Sequence, residues 1–159
     1  MRAKLQSSRG FTLVEMLAAT IIVSLLSLII ATGSQATLRA YTQIVTEAEA
    51  STLGGTLTEL ICDELRYATS VETDANGIVQ QYISRQYGEK ALLVTADGRL
   101  MVGAYPLLGE KAYTAGLHCD LTSLTFSQGV FNIQLSITDS GSPPVTRYQT
   151  EFAVAQLNP

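Results

Sequence analysis

Ser7-Ser8-Arg9-Gly10-Phe11-Thr12-Leu13-Val14-Glu15-Met16 is the point at which a basic, polar beginning turns abruptly into an apolar run that continues to Leu38. Between Phe11 and Leu38 the only ionisable side chain is Glu15. A charge at a bilayer centre costs about 2.5 to 3.5 kcal/mol even on the most lenient scale, so a lone acid in such a run marks a functional site. As an α-helix the run would extend about 42 Å at 1.5 Å per residue, against a hydrocarbon core of roughly 30 Å. It therefore predicts a helix that crosses a membrane.

The flanks give that helix a direction. Arg2, Lys4 and Arg9 precede the run, with no acid among the first ten residues. Positive flanks stay cytoplasmic, which puts everything after Leu38 outside. The 159 residues, 47% hydrophobic and 15% charged, suffice for one domain plus an anchor. From Arg39 onward 13 acids face 7 bases, a balance of -6 (7 minus 13). Such an acidic head argues against direct nucleic acid binding, which needs cations to displace the phosphate counterions. An ordinary secretory signal has a shorter apolar core and a small-residue cleavage site after it, and Ser34-Gln35-Ala36 is a feeble one.

Gly10-Phe11-Thr12-Leu13-Val14-Glu15, behind a short basic leader and ahead of an unbroken apolar helix, resembles the class III signal of type IV pilins and pseudopilins. The resemblance implies that a membrane peptidase cuts after Gly10 on the cytoplasmic side, that the new N-terminal Phe11 is N-methylated, and that Glu15 is needed for assembly. It implies as partners the prepilin peptidase, other pilin subunits, the cytoplasmic membrane and the pilus assembly machinery. One departure stands out. Many pilins carry a helix-breaking Pro a little over 20 residues into the mature chain, and here that neighbourhood reads Ala31-Thr32-Gly33-Ser34.

Beyond the membrane run, Tyr41, Ile44, Val45, Ala48, Leu53, Leu57, Leu60, Ile61, Leu65 and Ala68 recur mostly three and four residues apart, one face of a continuing helix. Its other side carries Glu47, Glu49, Glu59, Asp63 and Glu64, read as a solvated face or a surface for neighbouring subunits. Gly54-Gly55 interrupts the pattern and predicts a bend. After Val71 the period changes. Residues 91–95 and 99–103 flank Ala96-Asp97-Gly98, a hairpin signal. Phe131, Ile133, Leu135 and Ile137 alternate with polar residues, as do Tyr148, Thr150, Phe152 and Val154, while 121–127 is a weaker strand candidate. The expected fold class is α+β: a long N-terminal helix, half transmembrane and half amphipathic, packed on an antiparallel β-sheet head. The expected divisions are a leader at 1–10, a transmembrane and assembly helix at 11–38, its amphipathic continuation at 39–70, and an extracytoplasmic β-rich head at 71–159.

Little in the head points to chemistry. His118 is the only histidine, and its neighbours Cys119 and Asp120 do not make a triad by adjacency. The same three offer no second cluster for zinc. The loop after Thr138 has only Asp139, whereas calcium takes six to eight oxygens, so no metal and no cofactor are expected. Cys62 and Cys119, in an exported head, can form one bridge or remain two buried thiols. The bridge would close a loop of nearly 60 residues, worth about 4 kcal/mol in a chain-entropy account.

These readings converge on a structural prepilin subunit rather than an enzyme, cleaved after Gly10 and assembled into a type IV pilus or pseudopilus. Glu64-Leu65-Arg66-Tyr67-Ala68 is similar to a helix-end stretch of minor subunits and inclines the reading to that class. The competing reading is a membrane-anchored extracellular binding domain that enters no filament. The expected location is a single-pass cytoplasmic membrane protein with an extracytoplasmic head, then a periplasmic or extracellular filament.

Overall fold

The computed structural model describes residues 12–114 and 116–157. Among the described residues one helix, α1 (Leu13–Arg66), is followed by nine strands and a single 3-10 turn at Glu110–Ala112. The strands form three antiparallel sheets: β1 (Thr69–Thr73), β2 (Val79–Ser84) and β3 (Gly88–Lys90); β4 (Leu92–Val94), β5 (Leu100–Val102) and β6 (Tyr105–Pro106); β7 (Leu117–Ser127), β8 (Val130–Asp139) and β9 (Thr146–Ala155). This is the expected α+β architecture, with three small sheets where a single one was read. The chain divides into two units, one reaching to Gln43 and one from Ile44 onward.

Among the described residues the first unit is helix from Leu13 onward. It contains an 18-residue window apolar enough to cross a membrane, none of which is buried inside the protein. Its hydroxyls return to its own backbone: Thr20 Oγ1 donates to the Leu17 carbonyl at 2.8 Å, Ser24 Oγ to Thr20 at 2.7 Å and Ser27 Oγ to Val23 at 2.8 Å. A segment surrounded by lipid must satisfy its polar groups internally, and these do. The helix runs through Gly33 without a break.

In the second unit the helix pattern meets the strand pattern. Ala50, Leu53, Leu57, Ile61 and Leu65, three or four residues apart, share one core with Phe131, Ile133, Leu135 and Ile137 from alternate positions of β8. Full burial of one such side chain contributes about 1.5 to 3 kcal/mol, so this stripe is the main force holding helix to sheet. Two ends are closed by specific devices. The Arg66 carbonyl, unpaired within the helix, accepts the Leu157 N–H at 2.9 Å, and the Ala68 carbonyl accepts Gln156 Nε2 at 2.7 Å. β7 and β8 are joined by Gln128-Gly129, both at positive φ (51° and 79°), the two-residue turn whose twist matches the paired strands.

α1 continues through Gly54-Gly55, so the pair neither ends nor divides the helix. Gly54 instead faces the ring of Tyr148 on β9, and a Cβ there would overlap ring atoms, whereas a Cβ at Gly55 would meet nothing. The glycine makes room for a tyrosine. Gly54→Ala is therefore expected to destabilise the head by about 1 to 2 kcal/mol through overpacking. Gly55→Ala is expected to stabilise it by up to about 1 kcal/mol through helix propensity. Urea unfolding of the detergent-extracted full chain, followed by circular dichroism, checks the pair; equal effects would refute the packing role of Gly54.

Candidate functional site

Gly10 and Phe11 lie outside the described residues, and the site begins at Thr12. Thr12 precedes the first helical residue, and its Oγ1 accepts the Glu15 N–H at 3.3 Å. Glu15 reaches back: its Oε2 accepts both the Thr12 N–H and the Thr12 Oγ1–H, each at 2.9 Å. This reciprocal pair is a capping box, which satisfies orphan donors of the first turn and sets a carboxylate against the positive end of the helix. The sequence held the signal, a Thr three residues before a Glu at the head of an apolar run. Reading Glu15 solely as an intramembrane charge missed it. Among the described residues, no hydrogen bond is made to the second oxygen, Oε1.

In the head, three of the five acids read as a solvated face are tied down. Glu64 Oε1 accepts from the hydroxyl of the buried Tyr82 at 3.2 Å, and Glu49 accepts from Thr114 Oγ1 at 3.2 Å. Glu47 pairs with Arg147 at 3.8 Å. Burial, with Glu64 alongside, pushes the Tyr82 phenol far above its ordinary range, so it stays a hydrogen-bond donor. The acidic face is thus partly a set of struts from α1 to the strands and loops.

Asp139, weighed as a calcium ligand, is already spent. Its Oδ1 accepts the Gly141 and Val145 N–H groups at 3.1 and 3.0 Å, and its Oδ2 takes Arg147 through Nε at 2.8 Å and a second guanidinium nitrogen at 2.6 Å. The Val145 N–H, then Arg147 and Gly141, hold its carboxyl below the usual carboxylate range. Among the described residues no three His, Cys, Asp or Glu side chains converge as a metal site. His118 sits on β7 over the β4–β5 turn, where Nδ1–H donates to the Asp97 carbonyl at 3.0 Å and the ring fills the space beside Gly98. Its role is to pack that turn.

Of the two states the sequence leaves open to Cys62 and Cys119, the structure holds them as free thiols. Cys119 belongs to the buried core, and Cys62, partly exposed on α1, packs against it.

Residues 5–31 match the family described as the prokaryotic N-terminal methylation motif. The matched span takes in Gly10, Phe11, the capping box and the apolar helix as far as Ala31, the stretch that resembles the class III signal of type IV pilins. No curated protein and no solved structure matches the chain.

Burial pushes the Cys119 thiol up to about 12 and also raises the Cys62 thiol, but Cys119 is buried whereas Cys62 is partly open to solvent. Only the thiolate is nucleophilic. Cys62 is therefore expected to react with iodoacetamide in the folded, unreduced protein well before Cys119. Timed peptide mapping checks the order; labelling of neither until a reductant is added would show that the two are bonded after all.

Proposed function

We propose that this chain is a structural prepilin, cleaved after Gly10 by a prepilin peptidase, N-methylated at Phe11 and assembled through α1 into a type IV pilus or pseudopilus. The observation that carries the reading is the methylation motif at residues 5–31. It is supported by an apolar helix that nothing among the described residues covers and by a β-rich head packed on the later part of the same helix. The membrane holds the subunit until assembly, with the head outside.

Cleavage would leave a cationic amine on Phe11, and the partner for that amine is Glu15 of a neighbouring subunit. The capping box gives this step a geometry. The peptide N–H of Thr12 survives cleavage, so Oε2 stays anchored to the subunit's own first turn while Oε1 is left for the neighbour. At about 4 Å and an effective dielectric of 20 the raw attraction is about 4 kcal/mol, offset by desolvation of both groups. The pair then sets axial register more than it adds net stability. We place the protein among the minor subunits on the similarity of Glu64-Leu65-Arg66-Tyr67-Ala68, although Leu65 in that stretch is accounted for by its place in the core. The other reading, an anchored binding domain that keeps its leader, differs in the mass of its N-terminus.

Intact mass of the membrane-extracted protein should correspond to a chain starting at Phe11 plus one methyl group, and Gly10→Val should retain the leader. A mature protein still beginning at Met1 would overturn the assignment. Glu15→Gln should be processed and retained in the membrane as wild type is, because an amide costs less to desolvate than a carboxylate. It should nonetheless be depleted from filaments sheared from cells, since removing one member of a buried pair typically costs about 3 to 5 kcal/mol. Immunoblots of membrane and sheared fractions at matched expression read this out, and equal incorporation of both proteins would remove Glu15 from the assembly mechanism.

A further inference from the structure

Where α1 ends, a cleft of about 240 Å³ opens between the helix, the β2–β3 turn and β6. Two kinds of surface meet in it. Tyr67 and Tyr87 supply rings, and Tyr87 is fixed from behind by stacking on Tyr105, with centroids 4.6 Å apart and planes inclined by 16°. Asp63, Glu64, Arg85 and Gln86 supply polar groups. The turn that presents Arg85, Gln86 and Tyr87 is itself held, because Ser84 Oγ accepts the N–H groups of Gln86 and Tyr87, both at 3.2 Å.

The polar groups are unevenly used. The Arg85 guanidinium lies 5.0 Å from the centre of the Tyr67 ring, and among the described residues it forms no ion pair, although two carboxylates line the same cleft. Glu64 spends one oxygen on Tyr82, and Asp63 reaches Arg66 only at 4.0 Å. The cleft therefore offers a donor-only group, two acceptor-only groups and an amide that does both.

That set selects a ligand class. An anion would meet Asp63 and Glu64, a cation would meet Arg85, which the arginine amide arm of the test addresses directly, and a wholly apolar group would leave the polar walls unused. A neutral ring with hydroxyls around its edge and C–H bonds on its face satisfies every wall: the hydroxyls both donate and accept, and the C–H face lies on a tyrosine. We propose that this cleft binds one sugar ring of a saccharide. The volume, about eight waters at roughly 30 Å³ each, suits a single ring. An open site with so few contacts binds in the millimolar range. The proposal uses no residue of the apolar helix and stands independently of the filament reading.

The test uses the full chain in a detergent without a sugar headgroup, and saturation-transfer NMR with the methyl glycosides of glucose, galactose, mannose and N-acetylglucosamine. Each probe is present at about 10 mM, well above a dissociation constant near 1 mM. At least one should receive saturation, strongest on its ring C–H protons. Arg85→Ala should weaken binding roughly tenfold, the loss expected for a hydrogen bond to a charged group, and Tyr67→Ala should also weaken it. Gln86→Ala, at an exposed position, provides a second reading that does not depend on the rings. Lys111→Ala, outside the cleft, should change nothing. Silence from all four glycosides, undiminished signal in both Arg85→Ala and Tyr67→Ala, or binding of arginine amide in their place would overturn the proposal.

Discussion

A single hydrogen-bonded helix of 54 residues has to serve two surroundings, and the rest of the molecule follows from that constraint. Toward its start no side chain among the described residues covers it, and Thr20, Ser24 and Ser27 turn their hydroxyls back on the helix's own carbonyls, as an apolar surrounding requires. From Ala50 to Leu65 a stripe of apolar residues is buried completely or nearly so, and the polar residues beside it become struts rather than bare solvated charges. One backbone conformation accommodates both surfaces because side-chain chemistry, not backbone geometry, distinguishes them.

The parts of this design that were legible in the sequence are those where pattern and environment share a period. The apolar run from Phe11 to Leu38 and the alternation along β8 and β9 are of that kind, and so is the β4–β5 hairpin around Asp97-Gly98. β7 was fainter because a bulge between Leu121 and Ser123 moves the inward face from Leu117, Cys119 and Leu121 to Leu124 and Phe126. No single alternation fits the whole strand. β2 was invisible for another reason: Ile83 points outward and Ser84 inward, the reverse of what hydrophobicity suggests, since Ser84 is needed beneath the turn that follows.

The glycines and acids show where residue type misleads. Gly54 reads as a helix breaker until the ring of Tyr148, 94 residues further on (148 minus 54), is placed against it. Glu47, Glu49 and Glu64 read as solvent-facing until Arg147, Thr114 and Tyr82 arrive from distant strands and loops. In each case the missing information was a long-range partner, which local spacing does not encode. At the N-terminal site the opposite holds. Thr12 and Glu15 are three residues apart, their bonds are local, and the capping box was present in the letters themselves.

The closure of α1 by Leu157 and Gln156 also sets a clock. At roughly 5 to 20 residues per second, the 91 residues between Arg66 and Leu157 (157 minus 66) take about 5 to 18 s to synthesise. During that interval the stripe at Leu57, Ile61 and Leu65 has already been made, while its partners on β8 and the group that seals the Arg66 carbonyl have not. The half-made head therefore passes seconds with an apolar helix stripe and no sheet to cover it. Until β8 and β9 arrive, the order of synthesis leaves that stripe without the partners that cover it in the finished head.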